Sequence, residues 1–138
     1  MGAQNKRILV VDDDKDFLDE LGEILTLAGY DMVTVNDSRK VFEVLKKEGA
    51  GLILLDLNMP QKNGFQVAFD LSNSQEFKGI PIIAMTGMYK TEIQFLLELC
   101  GVHKCLQKPF YPLNIITEIE QMLPPQQSDQ VFEFEEVF

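Results

Sequence analysis

"ILVVDDDKDFL", residues 8–18, runs four apolar residues into three consecutive aspartates and then into the first turn of a helical pattern. The stretch "RILVV" (7–11) is short and apolar on both faces, the signature of a buried strand. Beyond it Phe17, Leu18, Leu21, Ile24, Leu25 and Ala28 recur at helical spacing on one face, and Gly29 ends the run. Between strand and helix stand Asp12, Asp13 and Asp14. Adjacent carboxylates repel and raise one another's pKa, so crowding them at a strand end does nothing for the fold itself. The placement points to a ligand that needs negative charge.

The same strand–loop–helix unit repeats outward from this stretch. "DMVTV" (31–35) reads as a second strand, and Ser38 as the cap of a helix carrying Val41, Phe42, Val44 and Leu45, stopped near Gly49. "LILL" (52–55) is a third strand with no polar alternation, which suits a central parallel position. The loop "DLNMPQKNG" (56–64) is dense in turn residues, and a helix follows over about Phe65 to Ser72. "IPIIAM" (80–85) is the fourth strand, followed by a helix from about Lys90 to Cys100. "KCLQ" (104–107) is a short fifth strand, and a last helix runs from Pro112, well placed in a first turn, to Leu123. Alternation of five strands with five helices predicts an α/β doubly wound parallel sheet, with right-handed crossovers placing helices on both faces. Residues 1–6 read as an N-terminal extension and residues 7–123 as one domain. Residues 124–138, "PPQQSDQVFEFEEVF", mix acids with Phe132, Phe134, Val137 and Phe138. They read as a solvated tail, a docked element or the start of a further segment.

Composition narrows the function classes. In 138 residues, 46% hydrophobic and 25% charged, a single core can form without disulfide staples. The formal net charge of −10 argues against direct nucleic-acid binding, which needs a cationic surface. Cys100 and Cys105 fit no metal or redox spacing, and His103 is the sole histidine, so no zinc set exists. With no apolar stretch of spanning length and no signal-like N-terminus, a cytoplasmic location and no membrane contact are expected. His103 reads as a loop residue and Cys100 as helix core, with no chemistry assigned to either. The string "IQFLLELC" (93–100) carries more apolar residues than one buried face needs; extra core accounts for it, or else a partner surface.

In open parallel sheets ligands bind at the carboxyl ends of the strands. There the chain places Asp12, Asp13 and Asp14 after strand one, Asp56 after strand three, Thr86 after strand four and Lys108 after strand five. With strand order 2-1-3-4-5, strands one and three adjoin at the switch point, which sets Asp12 and Asp13 beside Asp56. Oxygen-only ligands without His or Cys suit a hard cation such as Mg²⁺. Asp56 is then the natural nucleophile for a phosphoryl group, held as an acyl phosphate. Lys108 supplies a point charge and Thr86 a hydrogen bond to the phosphoryl oxygens. Phosphoryl transfer asks chiefly for position and neutralised charge. Asp14 reads instead as an acid at the positive end of the first helix.

Four pieces, "ILVVDDD" (8–14), "LILLDLNMPQKNGF" (52–65), "IPIIAMTG" (80–87) and "GVHKCLQKPF" (101–110), occur in an order that resembles the receiver domains of two-component response regulators. The resemblance covers nearly all of Arg7 to Leu123 and implies the CheY-like, flavodoxin-like sheet. It implies Asp56 as the phosphorylation site, with Mg²⁺ held by Asp13 directly, by Asp12 through water and by the Asn58 backbone carbonyl. It implies Thr86 as the hydroxyl switch, Lys108 as the phosphate-binding ammonium, and a cis bond between Lys108 and Pro109. The implied partners are a sensor histidine kinase or phosphotransfer protein and a downstream protein or output domain. The latter would read the surface of helix four, strand five and helix five. Such a module catalyses only its own phosphorylation and slow dephosphorylation. One position departs: Cys105 stands where relatives often carry Tyr or Phe. A thiol cannot repeat a ring rotation, so the switch uses backbone shifts alone or a nearby aromatic such as Tyr89 or Phe110.

Two other classes compete. A haloacid-dehalogenase-like phosphatase would use Asp12-x-Asp14 after the first strand, but leaves Asp56 unexplained and offers no cap domain. A flavodoxin-like flavin carrier needs a hydroxyl-rich loop where three aspartates would repel its phosphate.

Overall fold

The computed structural model describes residues 5–88, 90–102 and 104–123. Tyr89, His103 and the segment 124–138 lie outside the described residues, and with them the readings made of those positions. Five strands alternate with five helices: β1 (Arg7–Val11), α1 (Lys15–Leu27), β2 (Asp31–Val35), α2 (Val41–Glu48), β3 (Leu52–Asp56), α3 (Gly64–Ser72), β4 (Ile82–Thr86), α4 (Thr91–Leu99), β5 (Lys104–Gln107) and α5 (Pro112–Met122). All strands pair in parallel, in the order β2-β1-β3-β4-β5. The doubly wound architecture and its strand order are those expected from the sequence.

Strand position explains strand composition. β3 and β4 are buried along their whole length, while the edge strands β2 and β5 are only partly covered. Alternate side chains point to opposite faces. Ile8, Val10, Leu52, Leu54, Ile83 and Met85 meet Leu21 and Leu25 of α1 and Ile115 and Ile119 of α5. Leu9, Val11, Ile53, Leu55, Ile82 and Ala84 meet α2, α3 and α4 through Leu45, Leu71 and Leu97. Because helices cover both faces, central strands have no polar side to show, and periodicity alone could not sort their residues between layers.

Local chemistry sets the ends. The Asp14 side chain accepts a hydrogen bond from Phe17 N at 3.2 Å, capping α1. After that helix Gly29 takes φ +92°, a left-handed conformation that glycine adopts without steric cost. The cap before α2 differs from the expectation. Asp37 caps a 3-10 turn over Ser38–Lys40, and Ser38 is buried. Its hydroxyl donates to Lys62 O and accepts from Lys62 N, both at 2.8 Å, so it pins the long β3–α3 loop instead. β4 starts at Ile82 rather than Ile80; Pro81, with no N–H, serves the sheet only as an acceptor from Ile53 N. Gly64 opens α3 against the end of β3. A Cβ there would lie 2.6 Å from Leu57 Cα and 3.0 Å from Asp56 O, so only glycine permits that approach.

The end of α5 is tied down by Tyr30, 2% exposed, whose hydroxyl donates to Leu123 O at 2.8 Å. Burial, with the charge of Glu120 adding, pushes the Tyr30 phenol from 10.0 up to about 12. The folded chain therefore holds this proton more tightly than the unfolded chain, and stability falls as pH rises from 10.0 toward about 12. Tyr30→Phe should cost about 1 kcal/mol at neutral pH through the lost hydrogen bond. Chemical denaturation across pH should show the gap from wild type narrowing through that window; a constant gap would contradict this account of Tyr30.

Candidate functional site

The acids gather where β1 and β3 end side by side. Asp12 follows β1 and Asp56 is the last residue of β3. Asp12 is fully buried and Asp56 is 7% exposed, while Asp13 faces solvent. Each of the three offers a carboxylate oxygen within 4.8 Å of the others. Backbone amides fix two of them: Asp14 N donates to Asp12 Oδ1 and Asn58 N to Asp56 Oδ1, each at 3.0 Å. The main chain of Asp12 is held by its own N–H to Val35 O at 3.0 Å.

Lys108 supplies the cation. It follows β5, and its backbone N–H donates to Thr86 O at 2.7 Å. The Lys108–Pro109 bond is cis, as expected. The ammonium sits 2.5 Å from Asp12 Oδ2 and 3.8 Å from Asp56 Oδ2. Its main partner is thus Asp12, with Asp56 just beyond direct contact. Thr86 ends β4 in the neighbouring position, but its hydroxyl is turned to its own loop. It accepts from Met88 N at 3.2 Å and donates to Met88 O at 3.4 Å. Asn58 lies beside Asp56 and touches it through its N–H.

Cys105 is half-buried on β5, in register with Ala84, and packs with the α2–α4 layer. Burial raises its thiol pKa to about 11, so it stays protonated and inert at neutral pH. Phe110 packs on the other layer, against Phe17, with ring centroids 5.7 Å apart at 83°. It does not stand beside Cys105. Asp14 caps α1 and is absent from the acid cluster, which takes away the second acid of the dehalogenase-like reading. By its spacing in the sequence Phe17 belongs to the core face of α1. Its ring lies 4.5 Å from Lys108 Nζ. The one signal available was a pair of phenylalanines following two of the functional strand ends.

Electrostatics marks Asp56 as the strained member. Burial raises its pKa first of all, and the charges of Asp12 and Asp13 raise it further. The Asn58 N–H and the Lys108 charge pull the other way without restoring it. The folded chain binds this proton more tightly than the unfolded chain, so stability declines as pH rises through the shifted pKa. At neutral pH the ionised Asp56 works against the fold. Asp56→Asn should therefore raise the melting temperature at pH 7, and the gain should shrink as pH falls through the shifted pKa and toward the ordinary value of 3.8, vanishing only well below it, where the wild-type group is protonated in both states. A variant that melts lower than wild type at pH 7 would contradict this electrostatic picture.

The comparisons with known proteins agree with the geometry. Residues 8–120 match the family described as response regulator receiver domain. The CAI-1 autoinducer sensor kinase/phosphatase CqsS of Vibrio cholerae is 32% identical over 105 residues, 75% of this chain and 15% of that protein. The transcriptional regulatory protein GltR of Pseudomonas aeruginosa is 31% identical over 132 residues, 95% of this chain and 54% of that protein. The chain thus spans at most about half the length of these relatives. Among solved structures, the chemotaxis protein CheY4 of Vibrio cholerae superposes with a TM-score of 0.79 at 26% identity, covering 85% of this chain and 98% of that one. A five-stranded sheet in the order 2-1-3-4-5, its acids at the switch point, and a family match over nearly the whole described fold have one conclusion: the chain belongs to the receiver domain family of two-component response regulators.

Proposed function

We propose that Asp56 accepts a phosphoryl group from the phosphohistidine of a sensor kinase or phosphotransfer protein, and that the phosphorylated domain controls a downstream partner. The observation that carries this is the convergence of Asp12, Asp13 and Asp56 within 4.8 Å, with the Lys108 ammonium 3.8 Å from Asp56. An Asp56 oxygen attacks phosphorus, the P–N bond breaks, and its electron pair leaves with the imidazole. The product is an acyl phosphate on Asp56. Lys108 is near enough to take up charge on a phosphoryl oxygen, and the Thr86 hydroxyl could leave Met88 to donate to another.

The donor set fits Mg²⁺: three hard carboxylates, two buried and one open to solvent, with no sulfur or imidazole among them. Asp12, Asp13, Asp56 and the Asn58 backbone carbonyl would hold it. When bound, the ion neutralises charge on the acids and on the transferring oxygens. The site then consists of Asp56 as acceptor, Thr86 and Lys108 as phosphoryl partners and Asp12 and Asp13 as metal ligands. This is a signalling role; the only chemistry proposed for the chain is on its own Asp56.

Relatives support the partner classes. One is a sensor kinase/phosphatase and another a transcriptional regulator, and the cyanobacterial phytochrome response regulator RcpA, 25% identical with a TM-score of 0.75, was solved in its phosphorylated form. On the face of α4, β5 and α5, the exposed Phe95, Leu99 and Leu113 suit contact with an output partner. With Cys105 in place of an aromatic, the signal would reach that face through the β4–α4 backbone around Met88. We assign residues 7–123 to the receiver unit. Among the described residues no helix is long and apolar enough to cross a membrane, which fits a cytoplasmic site of action.

Incubation with Mg²⁺ and acetyl phosphate, read by intact-protein mass spectrometry, should add one phosphoryl group to wild type and none to Asp56→Asn. Equal modification of both would remove Asp56 from the acceptor role.

A further inference from the structure

The ammonium of Lys108 is held from two sides. On one side is the buried carboxylate of Asp12, 2.5 Å away. On the other is the face of the Phe17 ring, with Nζ 4.5 Å from its centroid. Phe17 is itself fixed twice. The Phe110 ring meets it edge to face at 5.7 Å. Its backbone N–H is bound by the capping side chain of Asp14. Both rings are half-buried and line a small cleft with Lys108 and Pro109, between the first turn of α1 and the end of β5.

This arrangement has a chemical consequence. A lysine ammonium has three N–H donors and a flexible stem, so the contact with Asp12 on one side leaves its other side open to hydration and to swinging away from Asp56. An aromatic face attracts the cation without offering it an acceptor oxygen, and excludes water from that side. We infer that Phe17 is a positioning residue for the phosphorylation chemistry: its ring holds the Lys108 ammonium against Asp12 and within 3.8 Å of Asp56, ready to take up a phosphoryl oxygen. Asp14 acts one step further back, by fixing the helical turn that carries the ring. The inference rests on the proposed role of Asp56 and adds to it a determinant of rate outside the acidic cluster.

The distinguishing property is the electron density of the ring, which shape alone does not carry. Phe17 would be replaced by phenylalanines bearing one, two, three and five ring fluorines, which weaken the cation–ring attraction in steps with little change of shape. Phosphorylation by acetyl phosphate with Mg²⁺ would be timed by mass spectrometry. Folding would be checked by melting temperature. The rate should fall stepwise with fluorine number, to a total loss of about two- to fivefold, the size of one cation–π contact. Phe17→Tyr should retain the wild-type rate. In the NMR spectrum, the Lys108 ε-methylene protons should lie upfield in wild type and move toward ordinary lysine positions in Phe17→Leu. A flat rate across folded fluorinated variants, with wild type phosphorylated on Asp56, would overturn the inference and leave the proposed function standing. A wild-type chain that takes no phosphoryl group would overturn both.

Discussion

Three carboxylates share one strand-end site, and that crowding is the constraint on which the rest depends. Asp12 and Asp56 are buried, Asp13 is close by, and every pair repels. A fold selected only for stability would scatter them. Here the architecture enforces the meeting. β1 and β3 are neighbours only because the strand order reverses at β1, and their carboxyl ends therefore open onto one crevice. Among the described residues the counter-charge at the site is the Lys108 ammonium, and it leans on Asp12 more than on Asp56. Asp56 is left ionised only at a cost, and a divalent cation at the cluster would offset that excess charge.

The packing around the site makes this tension tolerable. β1, β3 and β4 are sealed between two helical layers, so the backbone that carries the acids has no soft side. Gly64 lets α3 start directly against Asp56 and Leu57, and Ser38 ties the intervening loop at Lys62. The Lys108 loop is fixed to the end of β4 through Thr86 O. The groups that face the site from this frame are the Lys108 ammonium, held by Asp12, the Thr86 hydroxyl, turned to Met88, and the solvent-facing carboxylate of Asp13.

Much of this was legible in the sequence. Apolar runs without alternation announced central parallel strands, and reading the residue after each run located Asp12, Asp13, Asp56, Thr86 and Lys108 together. What stayed hidden depends on rotamers and on contacts between distant segments. Nothing in "MTG" (85–87) says that the Thr86 hydroxyl turns to Met88, and nothing in "KPF" (108–110) says that Lys108 prefers Asp12 to Asp56. Phe17 was hidden by its own pattern, since an aromatic at helical spacing reads as core until its ring is seen against a cation. Ser38 was misread because serine is both a common cap and, as here, a buried clasp for a distant loop. The aspartate triplet divides accordingly: Asp12 anchors the lysine, Asp13 faces solvent beside the other acids, and Asp14 caps the helix.

The most direct test of the central claim is thermal unfolding against Mg²⁺ concentration, for wild type and for Asp13→Asn. If the clustered charge exists to bind a divalent cation, wild type should melt higher as Mg²⁺ is added, following the linkage between binding and folding. Asp13→Asn should melt at or above wild type without the ion, because one repulsion is gone, and should gain little from adding it. A wild-type melting temperature indifferent to Mg²⁺, or an equal rise in both proteins, would contradict the account.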